Sequence, residues 1–129
     1  MRAGRYAVWH GGEYKAHRVD KDWVLLIRPS DQPQPKGFVE DSGEWVRKVH
    51  RSELSEMFSV RTVAVWQGHR VTVWSVDGDI AQVQASSTKQ ADIPDHPAVV
   101  RENAYGDWGA RVPVWELTEV VETVVDAAP

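Results

Sequence analysis

A chain of 129 residues, 42% hydrophobic and 26% charged, has the size and composition of one soluble globular domain or of two very small ones. The absence of cysteine excludes a disulfide framework and a thiolate site, and no apolar run approaches the roughly 20 residues that span a bilayer. The net charge of −4 is concentrated in residues 61–129, which carry five Lys or Arg against ten Asp or Glu, so nucleic acid is not expected as the main ligand.

The first residues give an expectation for location. Residues 1–5 lead directly into a strand-like pattern and lack the apolar core of a signal peptide. We therefore expect a cytoplasmic protein that makes no contact with a membrane.

Short strands separated by turns are predicted along the first half of the chain. Residues 5–10 are rich in β-formers, and residues 13–17 alternate polar and apolar side chains as a half-buried strand does. The continuous apolar run of residues 23–27 predicts a strand covered on both faces. Residues 29–37 contain three prolines and therefore form a loop, after which residues 45–49 restart a strand.

The junction between the two halves is predicted to contain no flexible linker. Residues 50–56 leave two alternatives open, a short helical turn before a last strand or that strand itself. Residues 55–63 include Met57 and Phe58, which is not a linker composition, so the last strand of the first half is expected to continue into the second half. At the end of the chain, residues 117–125 are rich in Val and Thr and predict a closing strand.

One unit of about 60 residues occurs twice in the chain. Residues 7–11, Ala-Val-Trp-His-Gly, return at 64–68 as Ala-Val-Trp-Gln-Gly, an offset of 57 (66 − 9). Residues 43–45, Gly-Glu-Trp, return at 106–108 as Gly-Asp-Trp, an offset of 63 (108 − 45). The difference of six residues (63 − 57) is predicted to lie in a longer loop over residues 86–105.

The repeated motifs support a small barrel in each half, because four or five short strands joined by tight turns are typical of one. With Gly-[Glu/Asp]-Trp followed by Val-x-x-x-Glu-Leu near the end of each unit, the chain resembles the Src-homology-3-like (SH3-like) barrel and its Tudor-type relatives. The resemblance implies an all-β fold of two tandem SH3-like antiparallel barrels, copy one at residues 1–60 and copy two at 61–129, packed without a flexible linker. It also implies binding of peptides or proteins through aromatic grooves between loops, although a fold does not by itself fix a function.

Seven tryptophans are the most unusual feature of the composition. Five are predicted to belong to the core, because they recur at matched positions or fall in the apolar run: Trp9, Trp23, Trp45, Trp66 and Trp108. An aromatic ligand groove in each barrel is the alternative for the matched pairs. Trp74 and Trp115 stand where copy one has His17 and Ser52, so they are predicted to point outward as anchors of a protein interface. The alternative is that both are buried against copy one.

The long loop of copy two adds acidic and aromatic side chains. Asp92, Asp95, Glu102 and Tyr105 predict an acidic, partly aromatic surface, with His96 among them. The alternative is a solvated loop that binds nothing. Together with the two outward tryptophans, the predicted partner-binding residues are Trp74, Asp92, Asp95, His96, Glu102, Tyr105 and Trp115.

Catalytic and metal-binding motifs are not found in the sequence. An EF-hand needs about five ligand positions ending in a glutamate, which the pairs Asp20/Asp22 and Asp77/Asp79 lack, so these residues are expected in turns. The five histidines lack ligand spacing, and there is no Gly-x-Ser-x-Gly elbow or phosphate-binding glycine loop. We therefore expect no catalytic residue, no metal and no cofactor, and a protein that is not an enzyme.

The function predicted from these observations is that of a non-catalytic protein-binding module. The sharper hypothesis is an acidic inhibitor or immunity-type protein that blocks a basic toxin or enzyme, since acidic patches steer association with basic partners. Three alternatives stay open: an enzyme with a site between the barrels, a homodimer formed through the outward aromatics, and a nucleic-acid-binding module. The last would use the basic residues of copy one, Arg18, Lys21, Arg28, Lys36, Arg47, Lys48 and Arg51.

Overall fold

The computed structural model describes residues 1–87 and 92–126, and regular structure in this part of the chain consists of β-strands and short 3-10 helices. The strands are β1 (Gly4–Trp9), β2 (Gly12–Arg18), β3 (Trp23–Pro29), β4 (Val39–Asp41), β5 (Glu44–His50), β6 (Glu56–Trp66), β7 (His69–Asp77), β8 (Ile80–Ser86), β9 (Val99–Arg101), β10 (Asp107–Pro113) and β11 (Thr118–Asp126). The first 3-10 helix, Arg51–Glu53, precedes β6, and the second, Val114–Glu116, precedes β11. No helix in the described part is long and apolar enough to cross a membrane.

The eleven strands belong to one antiparallel sheet. Their hydrogen-bonded order is β4-β5-β3-β2-β1-β6-β7-β8-β10-β9, and β11 pairs with β6 beside this path. The predicted all-β, antiparallel class is confirmed. The predicted closure into barrels is not, because β4 and β9 end the path without pairing with each other. The physical reason is β6, whose 11 residues pair with β1, β7 and β11, so that the sheet continues through this strand instead of closing on itself.

The chain divides into two compact units. Of the described residues, the first unit contains 4–59 and 124–126, and the second unit contains 1–3, 60–87 and 92–123. The uninterrupted strand β6 crosses the boundary at residue 60, where the sequence predicts no flexible linker.

The core of the first unit is built on aromatic rings. Trp9 is 6% exposed, and its ring contacts those of Tyr14 and Phe38 at centroid distances of 6.3 and 5.9 Å. Trp23, predicted to lie in the core, is 38% exposed. The inward positions of β3 are Val24 and Leu26, so strand alternation turns Trp23 outward.

The core of the second unit centres on two tryptophans. Trp66 and Trp108 are both fully buried, with ring centroids 6.0 Å apart, as the matched positions predict. The remaining buried residues of this cluster are mostly small or β-branched: Ala3, Ala64, Val71, Val73, Val76, Ala81, Val83, Ile93, Ala110, Val112 and Leu117. The side chain of Thr62, a buried polar residue, donates a hydrogen bond to the carbonyl oxygen of Arg2 at 2.6 Å.

Each of the two 3-10 helices is held by a backbone hydrogen bond at its first residue. The amide of Arg51 donates to the carbonyl oxygen of Asp22 at 2.9 Å, and the amide of Val114 donates to that of Asp79 at 2.8 Å. The two donors are 63 residues apart (114 − 51) and the two acceptors are 57 residues apart (79 − 22), which are the two offsets seen in the sequence. Of the two alternatives for residues 50–56, the helical turn before a last strand is therefore the correct one.

The loops before β5 and β10 differ in how closely the chain approaches itself. Gly43 and Gly106 occupy corresponding turns with φ of 83° and 100°. A Cβ atom added to Gly106 would lie 1.8 Å from the carbonyl oxygen of Ser87, whereas one added to Gly43 meets no atom within 4 Å. Only Gly106 is therefore required by packing as well as by backbone conformation.

We expect Gly106→Ala to lower the free energy of unfolding by about 2–5 kcal/mol, since a left-handed alanine costs about 1–2 and overpacking about 1–3 kcal/mol. Gly43→Ala is the matched control and should cost only the first contribution. Urea denaturation followed by tryptophan fluorescence measures both. Equal losses in the two variants would show that the approach of Ser87 does not constrain the turn.

Candidate functional site

The outward face of the second unit presents one continuous row of residues across four strands. Thr72 of β7 pairs with Gln84 of β8, Gln84 with Gly109 of β10, and Gly109 with Val100 of β9. Residues that face one another across strands project from the same side of a sheet. Val83, the inward neighbour of Gln84, is fully buried, so this row lies on the side away from the core.

The carboxylate of Glu102 lies across the middle of this face. Its Oε1 accepts a hydrogen bond from Nε2 of Gln84 at 3.2 Å. A Cβ atom at Gly109 would lie 2.9 Å from the same oxygen, so the glycine makes room for the carboxylate. The amide of Glu102 donates to the carbonyl oxygen of Asp107 at 2.9 Å, which fixes the backbone at this point.

Two open depressions meet at Glu102. The first has a volume of about 370 Å³ and is lined by Thr72, Gln84, Ala85, Ser86, Glu102 and Asp107. The second, of about 330 Å³, includes Gln82, Val100, Glu102 and Arg111 in its lining. Amide, carboxylate and guanidinium groups therefore surround an apolar patch at Val100, which is 64% exposed.

Trp74 owes its position to an irregularity in the sheet. The register between β7 and β8 passes from Val73 opposite Val83 to Ser75 opposite Gln82, which leaves Trp74 without a partner on β8. A β-bulge of this kind redirects the side chain of the extra residue. Trp74 is 48% exposed and follows Thr72 on the outward side of β7.

The turn between β9 and β10 is organised by Asn103. Its Oδ1 accepts from the amides of Tyr105 and Asp107 at 2.8 and 3.3 Å, and its Nδ2 donates to Oδ2 of Asp107 at 2.8 Å. Tyr105 is 88% exposed at the tip of this turn. The hydroxyl of Ser86 and the amide of Asn103 both donate to Asp107 and hold the pKa of its carboxyl below the usual value.

The other predicted residues lie on a loop and a helix that meet at Trp66. Ile93 is buried in the core, and the ring of His96 contacts that of Trp66 edge-to-face at 4.9 Å. Nε1 of Trp66 donates to Oε1 of Glu116 at 3.2 Å, and the adjacent Trp115 is 71% exposed.

The seven predicted residues thus fall into two groups. Trp74, Glu102 and Tyr105 lie on or beside the outward row; Asp92, Asp95, His96 and Trp115 belong to the loop and the second 3-10 helix. Asp92 and Asp95 are exposed, whereas His96 is half-buried, with its Nδ1 accepting from the amide of Ala98 at 3.0 Å.

Sequence reasoning missed the residues that complete the outward face, Gln82, Gln84, Val100 and Arg111. The alternation of Gln82 and Gln84 with buried Ala81 and Val83 was the available signal, since it marks an outward strand side. The contribution of β9 carries no comparable signal, because three residues are too few to show a period.

Several cations of the predicted nucleic-acid surface in the first unit pack on that unit's own aromatic rings. The guanidinium carbon of Arg28 lies 4.2 Å from the centroid of Tyr14, and that of Arg47 lies 4.9 Å from the ring of Trp9. Nζ of Lys48 lies 5.2 Å from the centroid of Trp23. Such contacts hold cations against the protein by cation–π attraction.

Within residues 1–87 and 92–126, no group of three or more His, Asp or Glu side chains is placed to hold a metal ion.

The fold and the site define an all-β protein whose second unit presents an open sheet face flanked by an exposed tryptophan. A family model described as uncharacterised conserved protein UCP033725 matches residues 1–122, and the chain therefore belongs to that family. The comparisons with curated proteins and with solved structures found no significant match.

We expect Ser86→Ala to raise the pKa of Asp107 toward its ordinary value of 3.8, because the Ser86 hydroxyl is the largest cause of the lowering. A carboxyl whose pKa is lowered in the folded state stabilises the fold at pH values above its pKa in the unfolded state. This contribution is lost as the pH falls through the folded-state pKa. The variant should therefore lose this contribution to stability near neutral pH, and its difference from the wild type should disappear as the pH falls through the folded-state pKa of Asp107. Carboxyl NMR titration measures the pKa. Gln84→Ala is the control, because Gln84 lines the same depression but makes no hydrogen bond to Asp107. It should leave the pKa of Asp107 unchanged.

Proposed function

We propose that this protein is a non-catalytic module that binds another protein through the outward face of its second unit. The observation that carries the proposal is Trp74, a large aromatic side chain that is 48% exposed on a β-bulge. Tryptophan is enriched among the residues that dominate the energy of protein interfaces. An exposed tryptophan positioned by a sheet irregularity is poorly explained by the stability of the unit alone.

The surroundings of Trp74 have the composition of an interface. Val100 adds exposed apolar area, while Gln84, Glu102 and Arg111 supply hydrogen-bonding groups around it. Interfaces commonly combine an apolar centre with a polar rim. The two depressions are open rather than enclosed, which suits the side chains of a protein partner better than a small molecule buried on most sides.

The charge of this half of the chain favours a basic partner. Residues 61–129 carry five Lys or Arg against ten Asp or Glu, a net charge of −5. Glu102 and Asp107 place two of these carboxylates in the lining of the first depression. An acidic surface speeds and orients association with a basic protein. We therefore infer an inhibitor or immunity-type role in which the module blocks a basic toxin or enzyme.

We also propose that the two series of strands are copies of one SH3-like unit. Five strands, a 3-10 helix and a further strand occur in the order β1 to β6 and again in the order β6 to β11, with β6 used in both. The matched hydrogen bonds of the two helices support this proposal. So do Ser55 and Thr118, whose hydroxyls donate to the carbonyl oxygens of Val8 and Val65 at 3.2 and 3.4 Å.

The proposal predicts that Trp74→Ala weakens partner binding by roughly thirtyfold, which corresponds to a hot-spot loss of about 2 kcal/mol. The partner is first captured from a native extract with the wild-type protein at low and moderate salt, then purified for isothermal titration. Trp23→Ala is the matched control, because Trp23 is an exposed tryptophan of the first unit, and it should stay within about twofold of the wild type.

Three outcomes would redirect this proposal. Unchanged affinity in both Trp74→Ala and Glu102→Gln would rule out the outward face. Captured nucleic acid that is released by salt would favour the basic residues of the first unit. Capture of the same chain alone would indicate self-association. Where a basic partner is found, Trp115→Ala then shows whether the contact extends to the second 3-10 helix.

A further inference from the structure

A cationic side chain points toward the core of the first unit. Along β5, Val49 is 1% exposed and Trp45 is half-buried on the same side, and Arg47 lies between them. Lys48, the next residue, is exposed on the opposite side. The guanidinium carbon of Arg47 lies 4.9 Å from the centroid of the Trp9 ring, so charge and indole are in contact.

Two hydrogen-bond donors at this contact have no partner. Nε1 of Trp9 and Nε of Arg47 are both buried and form no hydrogen bond within the described part of the chain. The guanidinium donates through Nη1 to the carbonyl oxygen of Gly37 at 3.2 Å. A buried donor without an acceptor costs free energy, and a guanidinium without a counter-charge costs more. We call these two side chains the Trp9–Arg47 niche.

The second unit satisfies the corresponding indole with a carboxylate. Trp66, 57 residues after Trp9, donates from Nε1 to Oε1 of Glu116 at 3.2 Å. The residue 63 positions before Glu116 is Glu53, whose Oε2 instead accepts from the amide of His50 at 3.0 Å. The first unit therefore uses its equivalent carboxylate to cap the 3-10 helix and leaves the indole without one.

The cation is also peculiar to the first unit. The residue 63 positions after Arg47 is Ala110, a buried alanine of the second core. The first unit thus lacks an internal acceptor for the indole N–H of Trp9, and the guanidinium of Arg47 lies beside this donor. Both differences favour negative charge supplied from outside the unit.

We propose that the Trp9–Arg47 niche binds a carboxylate, such as an acidic side chain of a peptide. One carboxylate oxygen accepts from Nε1 of Trp9 and the other from Nε of Arg47, in a charge-assisted arrangement that arginine is well suited to make. The ring of Phe38, 5.9 Å from that of Trp9, provides an apolar wall that strengthens the electrostatic attraction.

The carboxylate reaches the niche when the loop at Gly37, which lies over the guanidinium, moves aside. The hydrogen bond from Arg47 to the Gly37 carbonyl oxygen is long, at 3.2 Å, and lies at an exposed position. A Cβ atom at Gly37 would lie 1.8 Å from Nη1 of Arg47, so the loop passes directly over the guanidinium. A small movement of the loop at Gly37 breaks this bond and opens Nε of Arg47 and Nε1 of Trp9 to the carboxylate. This proposal is independent of the outward face of the second unit.

The indole signals in a ¹H–¹⁵N NMR spectrum test the proposal on the whole protein. Acetate, a short glutamate-containing peptide and inorganic phosphate are titrated separately at constant ionic strength, with the Trp9 signal assigned by Trp9→Phe. We expect the Trp9 Nε1–H signal to move saturably with acetate and with the peptide. The Trp66 signal, already bonded to Glu116, should stay in place and serves as an internal control.

Arg47→Ala, which installs the residue found at position 110, should weaken acetate and peptide binding by at least about tenfold, as expected for loss of a charge-assisted hydrogen bond. Lys48→Ala removes the same charge from the opposite side of β5 and should leave binding within about twofold. If Arg47→Ala does not fold by circular dichroism, Arg47→Lys keeps the charge without the guanidinium and should weaken binding similarly.

Other results would overturn the assignment. A Trp9 Nε1–H signal that shifts with none of the three probes would mean that the niche binds no anion. Movement with phosphate alone would exclude a carboxylate ligand and favour a nucleic-acid or phosphate role. Equal weakening by Arg47→Ala and Lys48→Ala would reduce the effect to general charge attraction.

Discussion

The burial of Trp66 is the interaction on which the second unit depends. Its side chain is fully buried and contacts three separate parts of the unit: the loop at His96, strand β10 at Trp108, and the second 3-10 helix at Glu116. A tryptophan buries a large apolar area while its indole N–H finds an acceptor, so both requirements of a buried indole are met. The loop and the helix are therefore held from the inside of the unit.

Strand alternation explains how one strand side can carry polar and aromatic residues without loss of the fold. Val71 and Val73 of β7 are 2% exposed, whereas Thr72 and Trp74 between and after them face solvent. The bulge at Trp74 disturbs the pairing with β8, and the neighbouring inward positions still pack. The proposed binding surface and the core thus occupy opposite sides of the same strands, as is usual for an antiparallel sheet with one solvated face.

Local sequence patterns predicted many of the strands, though not β4 or β9, and the buried tryptophans Trp9, Trp66 and Trp108, because period-two alternation and tight turns are local properties. They failed at Trp23, where a continuous apolar run hid the alternation that Val24 and Leu26 reveal. They also failed at barrel closure, which depends on long-range pairing through β6. The outward positions of Trp74 and Trp115 were accessible from alternation and comparison of the halves. The approach of Glu102 to Gln84 was not, because it requires the pairing of β9, β10 and β8.

The contrast between Trp9 and Trp66 shows where to look for function in a protein built from two similar series of strands. Positions that agree in both series, such as the backbone bonds of the 3-10 helices, are explained by what the fold requires. Positions at which the two series carry different residues are not explained by what the fold requires. Arg47 against Ala110 places a charge in one core where an alanine suffices in the other, and such a charge is costly unless it has a counter-charge. The described residues offer Arg47 the ring of Trp9 and the carbonyl oxygen of Gly37 but no carboxylate, and the carboxylate proposed to bind at the Trp9–Arg47 niche would supply that counter-charge.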